Sequence, residues 1–171
     1  MAQVYVSIGS NIDRERNIRF AMDKLRAEYA PIITSSVYES DAVGFQGDSF
    51  FNLVVGFHSP DSPQAVFQTL RAIEDQCDRT RDGERYSSRT LDLDLLLYDD
   101  EEIREQGIDI PRDEILLYAF VLGPLAEIAG ERRHPSDGRA FAELWAEFDK
   151  TGREIRIVPF AWSLDDNGPT P

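Results

Sequence analysis

Residues 85–98 read RYSSRTLDLDLLLY. Within them Thr90–Tyr98 alternates like a strand. Asp92 and Asp94 therefore share one face, Leu91, Leu93 and Leu95 point to the other, and Leu96 and Leu97 prolong the apolar run. Working outward from this strand settles the fold class. Upstream, Asp61-Ser62-Pro63 opens a helix that turns Val66, Leu70 and Ile73 inward and ends near Cys77. Before it lie a strand at Phe50–Phe57 and a β-branched run at Ile32–Tyr38, separated by a loop at 41–49. The chain begins with a strand at Val4–Ile8. Asp13 is placed to cap a helix that carries Ile18, Ala21, Met22 and Leu25 on one face. Strand, helix, strand, strand, helix, strand is the ferredoxin-like βαββαβ order. It predicts an α+β fold, an antiparallel sheet with helices on one face. The remainder reads as a C-terminal decoration: a hairpin within 102–111, a helix around Pro124, a short amphipathic helix at 140–148 and a strand at 155–158. Residues 1–160 are expected to form a single domain and 161–171 a flexible tail.

Composition narrows the function. The 171 residues carry a net charge of −14 and a pI near 4.5, which repels phosphate backbones and anionic membranes. A single cysteine, Cys77, excludes an intrachain disulfide and a thiolate cage and suits a reducing, cytoplasmic setting. No run approaches the roughly 20 apolar residues that span a bilayer. His58 and His134 are the only histidines, so a multi-histidine metal site is excluded.

Two carboxylates this close repel unless a cation sits between them. Mg²⁺ fits, because it accepts one or two carboxylates and leaves other positions to water and phosphate oxygens. An isolated D-x-D is more often a half-wet strand. Here Arg79, Arg81, Arg85 and Arg89 lie just upstream, and arginine forks grip phosphate oxygens in pairs. Carboxylates and arginines together point to a magnesium–nucleotide site. Neither GxxxxGK[ST] nor GxGxxG occurs, so it is not a P-loop or Rossmann site. On their strand Phe50 and Asn52 share a face, an aromatic ring beside an amide that suits a flat heterocycle. Taken alone, that pair would read as core packing.

These residues resemble a known family, the 6-hydroxymethyl-7,8-dihydropterin pyrophosphokinases of folate biosynthesis. The resemblance rests on Gly9-Ser10-Asn11, Phe50-Phe51-Asn52 and Arg85-x-x-x-Arg89-Thr90-Leu91-Asp92-Leu93-Asp94-Leu95-Leu96-Leu97-Tyr98. It continues in Ile110-Pro111 and Ala119-Phe120-Val121-Leu122-x-Pro124-Leu125, and covers residues 3–150. It implies transfer of pyrophosphate from ATP to the hydroxymethyl group of the pterin, with release of AMP. By the same resemblance Asp92 and Asp94 would hold two Mg²⁺ ions, and Arg79 and Arg89 would offset charge on the transferred group. Glu74, Arg81, Arg85 and Tyr86 would line the ATP side. Phe50 and Phe120 would flank the pterin, while Asn52 and the chain near Ser40 and Val43 would read its edge. Loops 41–49 and 78–88 would close over the substrates. The implied partners are small molecules, with no nucleic acid and no membrane, and the chain is expected to act as a monomer.

The chain departs from the family pattern at Ser87-Ser88, Tyr86, Ser40-Asp41, Arg112 and Tyr118. Arg112 stands where the family has an ATP-contacting histidine, and Tyr118 where it has a phosphate-binding arginine. Arg112 can restore one positive contact at the ATP side, whereas Tyr118 supplies no charge. Three alternatives follow: a paralogue for a related pterin, a non-catalytic pterin- or nucleotide-binding module, and an RNA-recognition module. The last lacks basic and glycine–aromatic RNP residues.

Overall fold

A computed structural model describes residues 1–41, 49–79 and 91–162, the side chain of Arg79 excepted. The first strand, β1 (Ala2–Ser10), is an interior strand of the sheet. Asp13 stands at the N-terminus of α1 (Arg14–Tyr29) in a left-handed conformation, φ 42°, and its carbonyl accepts the Asn17 N–H; its side chain does not cap the helix. Ile18, Ala21, Met22 and Leu25 are fully buried, as their spacing predicts.

The β-branched run divides into β2 (Ile33–Thr34) and β3 (Val37–Ser40). The cause is a contact across strands: Ser35 Oγ accepts the Val54 N–H, so a side chain replaces the ladder at that point. Both pieces pair with β4 (Phe50–Ser59). The helix α2 (Pro63–Arg79) and strand β5 (Asp92–Tyr98) complete the core. A hairpin, β6 (Ile103–Glu105) and β7 (Ile108–Ile110), precedes a helical turn α3 (Glu114–Leu117), then α4 (Ala119–Ala129), α5 (Phe141–Glu147) and β8 (Ile155–Val158).

Sheet order is β5-β1-β4-β3-β8 with every named pairing antiparallel, the ferredoxin-like arrangement. Alternation then builds two cores. Val4, Val6 and Ile8 of β1 and Leu53 and Val55 of β4 face α1 and α2. Tyr5 and Val54, one residue out of phase, face Leu122 and Leu125 of α4 and Phe141 of α5. The C-terminal segment therefore covers the second face of the sheet, and helices stand on both sides. The register of β5 slips between Tyr5 and Val6 of its partner, a bulge that turns both Leu96 and Leu97 into the second core. Phe160, the last residue of the expected domain, lies in the first core, and Trp162, two residues further on, packs against it. No described helix is long and apolar enough to cross a membrane.

Candidate functional site

Three strands set the floor of the site. Gly9 pairs with Asp92 on one side and Asn52 on the other, so these residues form one row across β5, β1 and β4. In the next row Ser7 lies opposite Asp94. The second core ends before these rows, and a cavity of about 340 Å³ opens over them. Asp92, Asp94, Ser40, Phe50, Asn52, Phe120, Arg112 and Tyr118 all contribute to its walls.

Glycine at position 9 has a reason. A Cβ there would stand 3.1 Å from Asn52 Oδ1, too close for the amide as it sits. Asn52 is buried and donates from Nδ2 to Ser40 Oγ at 2.7 Å. Phe120, on the first turn of α4, stacks on Tyr118 with centroids 4.9 Å apart and planes 16° from parallel. The adjoining end of β3 is braced by Glu39, which accepts from Arg156, Ser49 and Arg14; these bonds hold its carboxyl below the usual range. Arg14 also donates to the Ser49 carbonyl and lies 3.9 Å over the Phe51 ring.

The outer edge of β5 is capped by side chains. Glu74 of α2 is 2% exposed and accepts the Leu93 N–H at 2.7 Å. Arg71, one turn earlier, pairs with Glu74 at 3.0 Å and donates to the Leu93 carbonyl. An i,i+3 ion pair thus takes both main-chain groups of the residue between the two aspartates. Three positions on, the Arg112 N–H donates to the Leu96 carbonyl at 3.2 Å. A second cavity of about 120 Å³ lies on this edge, and Asp94 and Arg112 line it as well as the first.

Among the expected site residues, Asp92, Asp94, Arg112, Ser40, Phe50, Asn52 and Phe120 meet at one cavity. Glu74 does not line either cavity and lies behind β5. Val43, Arg81, Arg85, Tyr86 and Arg89, the side chain of Arg79, and the bodies of both expected substrate loops lie outside the described residues. Arg71 and Gly9 were not among the expected site residues. Gly9 carries a readable signal, glycine within a strand. Arg71-x-x-Glu74 reads only as a surface ion pair on a helix.

The donor set suits Mg²⁺. Among the described residues no three His, Cys, Asp or Glu side chains converge on one point. Among the described residues this leaves Asp92 and Asp94 as a pair of carboxylates at the cavity, which water and substrate oxygens can complete.

Comparison with known proteins identifies the family. A profile of the family 7,8-dihydro-6-hydroxymethylpterin-pyrophosphokinase (HPPK) matches residues 5–130. The chain is 38% identical over 128 residues to the 2-amino-4-hydroxy-6-hydroxymethyldihydropteridine pyrophosphokinase of Bacillus subtilis, covering 72% of this chain and 76% of that one. It is 36% identical over 148 residues to the protein of the same name from Pseudomonas aeruginosa, covering 84% and 90%. Among solved structures, Plasmodium falciparum HPPK-DHPS wild type with pterin and p-hydroxybenzoate superposes with a TM-score of 0.68 at 13% identity, over 85% of this chain. The match spans 43% of that longer chain and bears on the fold. The protein is an enzyme, a transferase of the pyrophosphokinase kind. It belongs to the 7,8-dihydro-6-hydroxymethylpterin-pyrophosphokinase family.

Proposed function

We propose that this chain transfers the β,γ-pyrophosphoryl group of ATP to the hydroxymethyl oxygen of 6-hydroxymethyl-7,8-dihydropterin, releasing AMP, in folate biosynthesis. The observation that carries the reading is that one cavity is lined both by Asp92 and Asp94 and by Phe50, Asn52 and Phe120. A flat, edge-polar heterocycle and a cation-bound polyphosphate can therefore meet in one place. The names of the relatives support the same chemistry.

Phe50 and Phe120 supply apolar faces for the pterin ring. Asn52 and Ser40, already bonded to each other, present amide and hydroxyl groups to its edge. Asp92 and Asp94 would hold two Mg²⁺ ions, which when bound neutralise polyphosphate charge and lower the pKa of the hydroxyl. The smaller cavity beyond Asp94, with Arg112 on its wall, has room for part of the phosphate chain. Arg79, Arg81, Arg85, Tyr86 and Arg89 would complete the phosphate side, with Glu74 behind them. In the transfer the pterin hydroxyl gives its proton to water, its oxygen bonds to the β-phosphorus as the bond to the α,β-bridging oxygen breaks, and AMP leaves with that oxygen. Neither His58 nor His134 lines either cavity, so no imidazole base is assigned. We take residues 1–160 as the catalytic domain, acting as a monomer on small molecules.

The test is AMP formation from Mg-ATP with and without the dihydropterin, for the wild type and Asp92→Asn. Pterin-dependent AMP that falls at least about 100-fold in the variant is expected, the scale of losing one transition-state electrostatic contact. A folded wild type that binds the pterin but forms no AMP would overturn the reading and favour a binding module.

A further inference from the structure

Two guanidinium groups reach Asp94 from different elements. Arg71 Nη2 and Arg112 Nη2 each stand 3.9 Å from the same oxygen, Asp94 Oδ1. At that distance neither is hydrogen-bonded to it, and the contact is charge against charge. Both arginines are tethered elsewhere. Arg71 is held by Glu74 and the Leu93 carbonyl, and lies 5.1 Å over the Phe67 ring. Arg112 is gripped by both oxygens of Glu114, at 2.9 and 3.0 Å. These anchors keep two positive charges beside a carboxylate that lines both cavities.

From this geometry we propose that Arg71 and Arg112 act as fixed counter-charges that make Asp94 a poor ligand for a bare divalent cation and a good one for a cation carrying phosphate. The inference rests on the reading of Asp92 and Asp94 as a cation site. A cation arriving alone at Asp94 Oδ1 meets two like charges. A cation arriving with an anionic phosphate chain brings groups that the same guanidiniums attract. The site then selects the complex over its parts, and cation and phosphate enter together. Glu74 and Glu114 offset part of the arginine charge, which limits the effect to several-fold. Arg71 is a positioning and charge-setting residue; no bond to the reacting atoms is assigned to it.

The experiment needs no turnover. Dissociation constants are measured for bare Mn²⁺ and for preformed Mn²⁺–triphosphate, by paramagnetic broadening of the Asp92 and Asp94 amide signals. The chains are the wild type, Arg71→Gln, Arg112→Gln and Arg71→Lys, each with its melting temperature. Arg71→Gln should bind bare Mn²⁺ about two- to fivefold tighter and the complex weaker by a similar factor, the range of part-exposed ion pairs. Arg71→Lys should stay near the wild type. Bare Mn²⁺ binding that is unchanged or weaker in a normally melting Arg71→Gln would overturn the proposal. Should that variant unfold, Arg112→Gln carries the same opposite-sign expectation. A wild type that takes up neither form overturns the counter-charge and the cation site together. An opposite-sign change in Arg71→Gln, with a wild type that forms no AMP, overturns the proposed reaction and supports the counter-charge.

Discussion

Asn52 Nδ2 donates to Ser40 Oγ at 2.7 Å, joining β4 to the end of β3 beneath the cavity with both side chains buried. The bond fixes the amide plane, and so fixes which amide groups face a ligand. Asn52→Ala removes it and strips a polar anchor from the wall. Binding of the dihydropterin should weaken about tenfold, the worth of one or two net hydrogen bonds. Fluorescence titration checks this, and nucleotide binding should be unchanged.

Gly9 and Asn52 give a second, independent reading of the same wall. In Gly9→Ala the new Cβ would lie 3.1 Å from Asn52 Oδ1, so the amide must move by a few tenths of an ångström. The backbone there is ordinary strand, and the melting temperature should change little. Pterin affinity should drop several-fold, and in Asn52→Ala the same glycine change should have no further effect. Four titrations complete that cycle.

Glu74 is expected to matter for stability. Glu74→Ala leaves the Leu93 N–H without this acceptor and Arg71 without its nearest carboxylate. The cost should be about 2–3 kcal/mol, below that of breaking a fully buried pair because water reaches Arg71. Glu74→Gln keeps an acceptor and should lose less. Urea unfolding of the three chains at constant m-value decides.

His134 makes stability depend on acidity. Its imidazole is buried, and Nδ1 accepts the N–H groups of Ser136 and Asp137. Burial pushes its pKa below the ordinary 6.5, against the pull of Asp137 and Glu102 and with a small push from Arg104. The folded state then binds the proton less readily than the unfolded one. Stability is full above pH 6.5 and falls as pH drops from there through the lowered folded value, by at most about 1.4 kcal/mol per pH unit. His134→Gln should lose stability at neutral pH yet show a shallower decline between pH 6.5 and 5 than the wild type. Equal slopes for the two chains would rule the histidine out as the source.

Much of this protein is written in local alternation. Period two in LDLDL puts Asp92 and Asp94 on one face and leucines on the other, and the same rule pairs Phe50 with Asn52. The spacing of Ile18, Ala21, Met22 and Leu25 predicts the buried stripe of α1 as it stands. Six elements in that order suffice for the ferredoxin-like topology, because few sheet orders satisfy short, right-handed connections.

What remained hidden depended on distance along the chain. That α4 and α5 cover the second face follows from Tyr5 and Val54 being apolar out of phase, which β1 and β4 reveal only once paired. The split at Ser35 needs the Val54 N–H opposite it, and the turn of Leu96 into the second core needs the bulge against β1. Arg71 looks like a helix-surface arginine until α2 lies along the edge of β5 and brings it to Leu93 and Asp94. Sequence alone determined which groups share a face, because strand and helix periods are properties of the local backbone. Only the tertiary structure decided which faces meet, because those contacts depend on packing between segments far apart in the chain.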